Sequence, residues 1–534
     1  MNIIGIGMEL PAFLHKLTET AQCDLSGSDE WLEKSDRAWD AVFNIDWKKL
    51  AEQFIYKSDS PLIFNSGFFL FLFLVFSLVY VLLKHKTTAR LLFVTCFSYY
   101  FYYKSSGLYF ILLGVITVSD FLIAKQIDKS ENRICRKGWM FLSLFIDLGF
   151  LGYFKYTNFF YEVFAPLWNG QFEALDIFLP VGISFFTFQS LSYSIDVYRR
   201  DLKPVDTLLD YAFYVSFFPQ LVAGPIVRAR DFIPQIRKPL RVSNWMFGTG
   251  VYFIIAGAFK KAVISDYISV NFVERIFDNP SLYSGIENLF GVYGYTLQIY
   301  CDFSGYSDMA IGLALLLGFH FPINFNSPYK AESITDFWHR WHISLSTWLR
   351  DYIYISMGGN RKGRIRTYIN LVITMLLGGL WHGASWNFVV WGGMHGAGLA
   401  LHKFLRQLTG KGKNETSHGW RKIVGIIITF HFVCFCWIFF RNATFEDSWT
   451  MLDRIVNHFE PQLIWKVITG YAPVFGLMAV GYLLHFMPEH WSHYCKKCVI
   501  RMPLFWQAVL IIILICIVMQ IKTSNIQPFI YFQF

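Results

Sequence analysis

Two histidines lie inside an apolar stretch that is rich in tryptophan and glycine, LGGLWHGASWNFVVWGGMHG, which runs from Leu377 to Gly396. An imidazole in such a place could pack in the core, ligate a metal, or act as a general base in a water-poor site. An ionisable group inside a membrane segment is a functional candidate by default. We therefore take His382 as a candidate base and interpret His395 as a packed core histidine.

A second pair of histidines lies in the stretch SITDFWHRWHISLSTWLRDY. Ser333 followed by Asp336 is typical of a helix N-terminus. A single helix through this stretch, at about 3.6 residues per turn, places His342 on the face that carries the tryptophans and His339 on its flank. The spacing therefore selects His342 as the inward-pointing imidazole. The alternative is an interfacial helix in which His342 only forms a hydrogen bond in the core.

Metal binding is the weaker interpretation of these histidines. His339 and His342 could combine with His382 or His395 into a three-ligand site. However, no HExxH-type pattern accompanies them, and the surrounding tryptophans leave little room for a hydrated ion. The histidines and cysteines of HFMPEHWSHYCKKC, residues 485–498, are interpreted as ordinary polar loop residues. We expect no metal site.

Other catalytic patterns are missing from the sequence. It contains no GxSxG nucleophile elbow, no P-loop, and no His-x4-Asp pair of the kind found in soluble glycerolipid acyltransferases. The nine cysteines show no disulfide framework. Histidine would therefore be the catalytic group, without an obvious covalent serine or cysteine.

The composition is that of a polytopic membrane protein. Of 534 residues, 54% are hydrophobic, 19% are aromatic and only 16% are charged, against about 25% charged in soluble domains. The chain supplies about a dozen apolar segments that approach the length of a membrane span. Several are short or broken by glycine or proline, and such pieces are buried in protein or line a cavity. We therefore predict an all-α polytopic membrane protein.

The formal net charge of +9 is not taken as a sign of nucleic-acid binding, because the basic residues lie mostly in short loops between apolar segments. Such loops are cytoplasmic by the positive-inside rule, which predicts an N-terminus on the outer face. The loop GGNRKGRIR, with Arg361 and Arg364, could also attract the phosphates of a nucleotide-bearing donor such as coenzyme A. The positive-inside rule alone explains the loop equally well.

We divide the chain into three parts. Residues 1–60 form an amphipathic N-terminal extension with tryptophans at helical spacing, residues 61–525 form one membrane domain, and residues 526–534 form a C-terminal tail. The start of the chain lacks the pattern of a signal peptide, so the first span can serve as the insertion signal. Residues 320–366 hold no good span but many aromatics, which indicates re-entrant or interfacial structure over a cavity.

Five motifs resemble those of the membrane-bound O-acyltransferases, and most closely their bacterial alginate O-acetylation branch. They occur in the expected order between about Ile63 and Phe440. One departure is Ser356, where the resemblance leads us to expect proline. The motifs are LPVGISFFTFQSLSYSIDVYRR, FFPQLVAGPIVRARDFIPQI, YCDFSGYSDMAIGLALLLGF, FWHRWHISLSTWLRDYIYISMGGNR and LLGGLWHGASWNFVVWGGMHG.

The resemblance implies a ring of tilted transmembrane helices, with short and re-entrant helices around a central funnel and tunnel. The funnel would open to the outer side and the tunnel to the cytosol. It also implies that His342 and His382 form the catalytic centre. Such enzymes move an acyl group from a cytosolic thioester to a hydroxyl acceptor. In the alginate branch, an outer-face partner resembling an SGNH-type esterase commonly completes the transfer.

We therefore expect an O-acyltransferase of the bacterial inner membrane that uses acetyl-CoA, without a bound cofactor, to acetylate a cell-surface or exported polysaccharide. His382 would be the base, while His342 would hold the acceptor or polarise the thioester carbonyl. A transporter or flippase of lipid-linked sugar and a docking subunit for a secreted acetyltransferase are the alternatives. Residues expected to support substrate or donor binding are Asn326, Asp336, Trp338, Arg340, Trp381, Arg361 and Arg364.

Overall fold

The computed structural model describes residues 47–57, 61–168 without 63 and 65, 173–222, 224–410 and 418–521. Within these ranges the chain forms α-helices joined by short 3-10 and π-helical turns and loops, with no β-strand, which confirms the all-α prediction. The first helices are α1 (Trp47–Gln53), α2 (Gly67–Leu82), α3 (Thr87–Ser106), α4 (Phe110–Lys129), α5 (Arg133–Leu151), α6 (Thr157–Phe164), α7 (Ile183–Arg199), α8 (Leu208–Ser216), α9 (Phe218–Leu221), α10 (Ala229–Ile236), α11 (Asn244–Ala258), α12 (Asp266–Ile268) and α13 (Glu274–Asp278).

The second half of the chain contains the longest helix and the helices that surround the candidate histidines. These helices are α14 (Gly285–Leu316), α15 (Ile334–Arg340), α16 (Ile343–Trp348), α17 (Arg364–His382), α18 (Trp386–Leu408), α19 (Trp420–Arg441), α20 (Phe445–Asn457), α21 (Ile464–Gly470), α22 (Ala472–Phe486), α23 (Glu489–Arg501) and α24 (Leu504–Ile521).

The two ends of the chain fall largely outside the described residues. Of the N-terminal extension, the structure describes α1 and the residues that follow it to 57. The tryptophan-bearing segment before Trp47 and the tail at residues 526–534 lie outside the described residues. The division at residue 60 therefore stays a prediction.

Three helical stretches of the described chain are long and apolar enough to cross a membrane: Thr87–Lys129, Asn244–Asp278 and Trp420–Arg441. Two more segments pass the same test only as bent pairs: α21 with α22 at 93°, and α23 with the first part of α24 at 117°. Most of the predicted apolar segments are therefore short, bent or partly polar. Such segments need neighbouring protein to satisfy their backbone.

Helix α14 is the centre of the bundle. It begins at a capping box in which the Ser284 hydroxyl accepts the amide of Glu287 and the Glu287 carboxylate accepts the amide of Ser284 at 2.9 Å. Nearly all of its residues from Tyr295 to Leu315 are buried. A helix that is buried on all sides must be held by several neighbours, and α14 contacts α11, α19, α20 and α22.

Buried ion pairs join α14 to the segment that follows α11. Lys261 is buried and contacts Asp302 of α14, and its Nζ lies 2.8 Å from Asp266 Oδ1. Lys260 Nζ lies 2.6 Å from Asp308 Oδ2. Each of these lysines has a carboxylate partner, because an isolated charge at this depth would be very costly to desolvate. The pairs fix the register of α14 against its neighbour.

Helices α17 and α18 cross with their backbones in close contact. A Cβ atom on Gly379 would meet the Phe388 carbonyl oxygen, and one on Gly392 would meet the Met375 carbonyl oxygen. Small residues of this kind let membrane helices approach closely. The crossing places His382, the last residue of α17, against the first turns of α18.

The prediction of one continuous helix through His342 was wrong. The chain forms α15 and α16 with a break between them, and His342 has a left-handed backbone with φ 42° and ψ 55°. The predicted N-terminus is confirmed, since the Ser333 hydroxyl accepts the Asp336 amide at 3.2 Å. Helical spacing could not reveal the break, because the Ile343 amide donates to the backbone carbonyl of Asn324, a distant loop residue, at 2.9 Å.

The glycine crossing can be tested with neighbouring substitutions on α18. Gly392→Ala should lower the stability of the protein by about 1–3 kcal/mol, because the added methyl group forces α17 and α18 apart. In Gly393→Ala the new methyl group meets only the flexible Leu376 side chain at 3.6 Å, so helix propensity should leave stability unchanged or slightly raised. The apparent melting temperature in detergent measures both. Equal melting temperatures for the two variants would contradict the crossing.

Candidate functional site

His342 is fully buried at the break between α15 and α16. Its ring lies edge-on to Phe303 of α14, with centroids 4.6 Å apart, and is flanked by Phe185 at 6.3 Å and Phe325 at 6.4 Å. His339 is exposed. The selection of His342 from its spacing is therefore confirmed, although a backbone break rather than a helix face directs it inward.

Asn324 supplies the polar contacts of His342. The Asn324 Oδ1 atom lies 3.2 Å from His342 Nδ1, and it also accepts the backbone amide of Ser344 at 3.2 Å and the Ser344 hydroxyl at 2.9 Å. The sequence analysis missed Asn324. The available signal was a second asparagine in the FPINFNSP loop, two residues before the predicted Asn326.

His382 ends α17 and is also buried. Its ring lies edge-on to Trp381, Trp391 and Phe440, with centroids about 5 Å away in each case. The Trp381 ring also lies 5.8 Å from His342. One indole therefore contacts both candidate imidazoles, and the two histidines that the resemblance selected share one aromatic site.

Lys155 and Tyr156 bind the carbonyl groups at the C-terminus of α17. The ammonium group of Lys155 donates to the carbonyl oxygens of Trp381 at 2.7 Å and His382 at 2.9 Å. The hydroxyl of Tyr156 donates to the carbonyl oxygen of Leu380 at 2.7 Å. The last carbonyls of a helix lack partners within it, and a cation there is stabilised by the helix dipole. These contacts fix the position of His382.

Lys155 was also not among the site residues predicted from the sequence. It lies in the aromatic run FLGYFKYTNFF, where a single lysine could have been noticed as a buried cation. In the structure it belongs to a π-helical turn, Gly152–Tyr156, between α5 and α6. Turns of this kind occur frequently at functional sites.

A small, partly open cavity lies beside His382. The segment 179–183 forms one wall, and Gly182 turns the chain there with a φ of 74°. The side chains are mixed: an ammonium group, a hydroxyl, aromatic rings and an imidazole. The residues that complete the wall are Lys155, Ser184, Phe185, Val222, Trp381 and His382.

His395 and Trp338 lie on the other side of Trp391. The indole nitrogen of Trp338 donates to His395 Nδ1 at 3.3 Å, and His395 is fully buried. The centroid of Trp391 lies 4.6 Å from His395 and 5.0 Å from His382. His395 therefore has the contacts expected of a packed core histidine, and Trp338 is separated from His382 by one indole.

Asn326, Asp336 and Arg340 come together as a local cluster. Arg340 Nε donates to Asp336 Oδ1 at 2.9 Å. The backbone amide of Asn326, an exposed residue, donates to the Arg340 carbonyl oxygen at 2.9 Å. By contrast with this polar cluster, the rings of His342 and His382 are enclosed by aromatic side chains. The contacts of the three residues support the turn before α15.

Arg361, in the basic loop before α17, and Arg364, the first residue of α17, are both exposed. The loop is anchored to this helix by Asn370, whose side-chain amide donates to the Gly359 carbonyl oxygen at 2.9 Å. Since α17 has 19 residues, a rise of about 1.5 Å per residue places His382 about 27 Å along the axis from Arg364. The structure therefore separates the arginines from the histidines by the length of this helix.

Ser356 has a specific partner in this chain. Its hydroxyl accepts a hydrogen bond from Arg199 Nη2 at 2.9 Å. Arg199 also donates to the carbonyl oxygen of Asp351, whose carboxylate pairs with Arg228 at 2.6 Å. A proline could not accept the bond from Arg199. The serine that stands here in place of the expected proline therefore makes a hydrogen bond with Arg199 that a proline side chain could not make.

Within the described part of the chain, no three His, Cys, Asp or Glu side chains are placed to hold a metal ion together. His339 is exposed, which separates it from the buried His342. His382 and His395 have aromatic rings as their nearest side-chain neighbours.

Comparison with known proteins gives a consistent result. The sequence model of the membrane-bound O-acyltransferase family matches residues 207–446, which include both candidate histidines. The probable alginate O-acetylase AlgI of Pseudomonas aeruginosa is 40% identical over 402 residues, which is 74% of this chain and 75% of the relative.

Two further relatives carry different names. The peptidoglycan O-acetyltransferase of Helicobacter pylori is 35% identical over 480 residues, covering 81% of this chain and 90% of the relative. The teichoic acid D-alanyltransferase of Bacillus subtilis is 31% identical over 277 residues, covering 50% of this chain and 69% of the relative. Taken with the helical fold and the paired buried histidines, these similarities show that the chain belongs to the membrane-bound O-acyltransferase family and is an O-acyltransferase.

Proposed function

We propose that this protein transfers an acetyl group from acetyl-CoA, taken from the cytosol, to a hydroxyl group of a cell-surface or exported polysaccharide. The observation that carries the proposal is the position of His382 in the wall of a cavity, with His342 in contact with the same Trp381 ring. The protein itself would hold no cofactor, since imidazoles can catalyse this transfer alone.

The directions of two helices support separate entrances for donor and acceptor. Helix α5 begins at Arg133, in a basic segment, and leads to Lys155, while α17 begins at Arg364 and ends at His382. The cavity therefore lies at the far ends of both helices from their basic starts. Because short basic loops are cytoplasmic, this supports an acceptor that enters from the outer face and a donor that enters from the cytosol.

The same rule supports an N-terminus on the outer face of a bacterial inner membrane. Helix α2 is followed by Lys84 and Lys86, which places its C-terminus on the cytoplasmic side and its start on the outer side. The membrane lipid would surround the exposed apolar side chains of α2 and α19.

The chemistry follows from the position of His382. Its imidazole takes the proton of the acceptor hydroxyl as the oxygen attacks the thioester carbonyl carbon. The carbon–sulfur bond of the tetrahedral intermediate then breaks, and the leaving thiolate takes up the proton. His342 holds the acceptor or polarises the thioester carbonyl. The aromatic rings around both imidazoles limit the access of water and hence hydrolysis of the thioester.

The names of the relatives support a polymer as the acceptor. They refer to alginate, peptidoglycan and teichoic acid, and we infer that this chain acts on a hydroxyl group of a cell-surface or exported polysaccharide. The resemblance to the alginate branch adds a periplasmic partner resembling an SGNH-type esterase, which would complete the transfer to the polymer.

Replacing His382 tests the catalytic assignment. His382→Ala should lower acetyl transfer by about 10² to 10⁴, the usual contribution of a positioned base. His395→Ala should cost much less, because His395 contacts only core side chains of the adjoining tryptophan cluster. The rates of both variants are measured in proteoliposomes, with the periplasmic fraction added, as the release of label from radiolabelled acetyl-CoA.

Unchanged transfer by His382→Ala at normal expression would instead support the transporter or docking-subunit alternative. Equal losses from the two variants would contradict the separate roles of His382 and His395.

The contacts of Lys155 lead to a second prediction. Lys155→Met should lower kcat by about tenfold, because two carbonyl oxygens beside His382 lose their hydrogen bonds and the base loses its position. Lys155→Arg keeps a cation and several donors and should retain more activity. Single-turnover transfer rates in proteoliposomes measure the effect. Equal rates for Lys155→Met and wild type would show that the contact does not position His382.

The basic loop should act on the donor alone. Replacing Arg361 and Arg364 together by glutamine should raise the KM for acetyl-CoA several-fold, with little change in kcat, and the effect should shrink at high salt. Arg421 and Lys422, both exposed in the first turn of α19, provide a charge-matched control when they are replaced together by glutamine. A similar KM change for the control would contradict donor binding by the loop and leave only its role in membrane orientation.

A further inference from the structure

The orientation of the Asn324 side chain is fixed by its partners. A backbone amide can only donate, so the atom that faces the Ser344 amide at 3.2 Å must be Oδ1. The opposite atom, Nδ2, then donates to the hydroxyl of Ser307 on α14 at 3.2 Å. Both ends of the amide fit this assignment, which a reversed amide would break.

The oxygen of Asn324 determines where His342 carries its proton. Oδ1 lies 3.2 Å from Nδ1 of the imidazole. If Nδ1 carried no hydrogen, two lone pairs would face each other at that distance inside the protein. The hydrogen of a neutral imidazole therefore lies on Nδ1, and Nε2 keeps its lone pair.

The hydroxyl of Ser344 does not offer a better alternative. It accepts the amide of Ile226 at 3.0 Å and lies 2.9 Å from Asn324 Oδ1 but 3.5 Å from His342 Nδ1. Its own hydrogen therefore points to the Asn324 oxygen. The backbone also holds the ring in place, because the Ile343 amide donates to the Asn324 carbonyl oxygen at 2.9 Å.

The second nitrogen of His342, Nε2, takes no part in the contacts with Asn324 and Ser344. Nε2 is buried and has no hydrogen-bond partner among the residues that the structure describes. Around the ring lie Phe303 and Trp381, which present carbon atoms or ring faces. A buried acceptor left without a donor is unfavourable, so this lone pair is suited to a ligand that donates a hydrogen bond.

We propose that Asn324 is a positioning residue that holds His342 as the Nδ1–H tautomer, so that Nε2 accepts a hydrogen bond from a hydroxyl group of the acceptor. This inference rests on the proposed function and decides between the two roles left to His342. A nitrogen that offers a lone pair cannot polarise the thioester carbonyl. His342 therefore holds the acceptor, and His382 takes the proton from the hydroxyl that reacts.

The first test observes the tautomer directly. Protein labelled with ¹⁵N-histidine is reconstituted in bilayers, and solid-state NMR distinguishes protonated from unprotonated ring nitrogens. The difference spectrum between wild type and His342→Gln identifies the signals of His342. We expect a protonated Nδ1 and an unprotonated Nε2 in wild type and in Asn324→Asp, which keeps an oxygen in place. A protonated Nε2 in wild type would overturn the proposal.

The second test separates acceptor binding from catalysis. Asn324→Leu should raise the KM for the acceptor about tenfold, the size of one lost hydrogen bond, with the KM for acetyl-CoA unchanged. Asn324→Asp should restore much of this loss, and Ile323→Ala, an exposed neighbour in the same loop, should leave both KM values unchanged. A fall in kcat with an unchanged acceptor KM would assign His342 to the thioester carbonyl instead.

The two tests also separate this inference from the function on which it rests. If wild-type protein transferred no acetyl group with any donor or periplasmic fraction, the proposed function would fail. The NMR spectrum would still report the tautomer of His342, because it needs no substrate. An Nδ1–H tautomer that disappears in Asn324→Leu would then retain Asn324 as the residue that sets it.

Discussion

The hydrocarbon interior of a membrane offers no hydrogen bonds to an interrupted helix, and the site depends on this constraint. Both candidate histidines lie where a helix is broken: His342 between α15 and α16, and His382 at the end of α17. At each break, side chains and carbonyl groups from outside the broken turn supply partners, most of them from distant parts of the chain. Asn324 and Ser344 serve the first break, and Lys155 with Tyr156 serves the second. The groups that stabilise the breaks are therefore also the groups that orient the imidazoles.

The surrounding helices make this arrangement rigid. The backbones of α17 and α18 are in contact at Gly379 and Gly392, and this contact fixes the position of His382 at the end of α17. The ion pairs of Lys260 and Lys261 hold α14, which in turn carries Phe303 and Ser307 to the side of His342 and Asn324. A catalytic geometry needs this kind of support, because a displacement of about 1 Å can cost two orders of magnitude in rate. The buried polar groups of these helices thus support the candidate site as well as the fold.

The distribution of charge in the chain supports the proposed direction of the reaction. Helices α5 and α17 both begin in basic segments and lead to the residues that line the cavity beside His382. A soluble nucleotide thioester and an exported polymer occupy different compartments, so an enzyme that joins them must bring both to one point within the membrane. The proposed division of work, with the acceptor on His342 and the proton on His382, rests on the contact of Asn324 with His342 Nδ1, which leaves Nε2 without a partner among the described residues.

The sequence by itself determined the class of the fold, and it selected two histidines, His342 and His382, that the structure buries. An apolar composition indicates a membrane environment. The spacing of the tryptophans predicted that His342, rather than His339, is buried, although the single helix assumed for that spacing was wrong. It could not determine the break at His342, the tautomer of that residue or the part played by Lys155. Each depends on a partner far away in the chain, such as Asn324, 18 residues before His342, or the Trp381 carbonyl, 226 residues after Lys155. Local spacing carries no information on such contacts, because the distance along the chain does not fix which groups meet. Only the tertiary structure, which must satisfy every polar group at membrane depth, decided them.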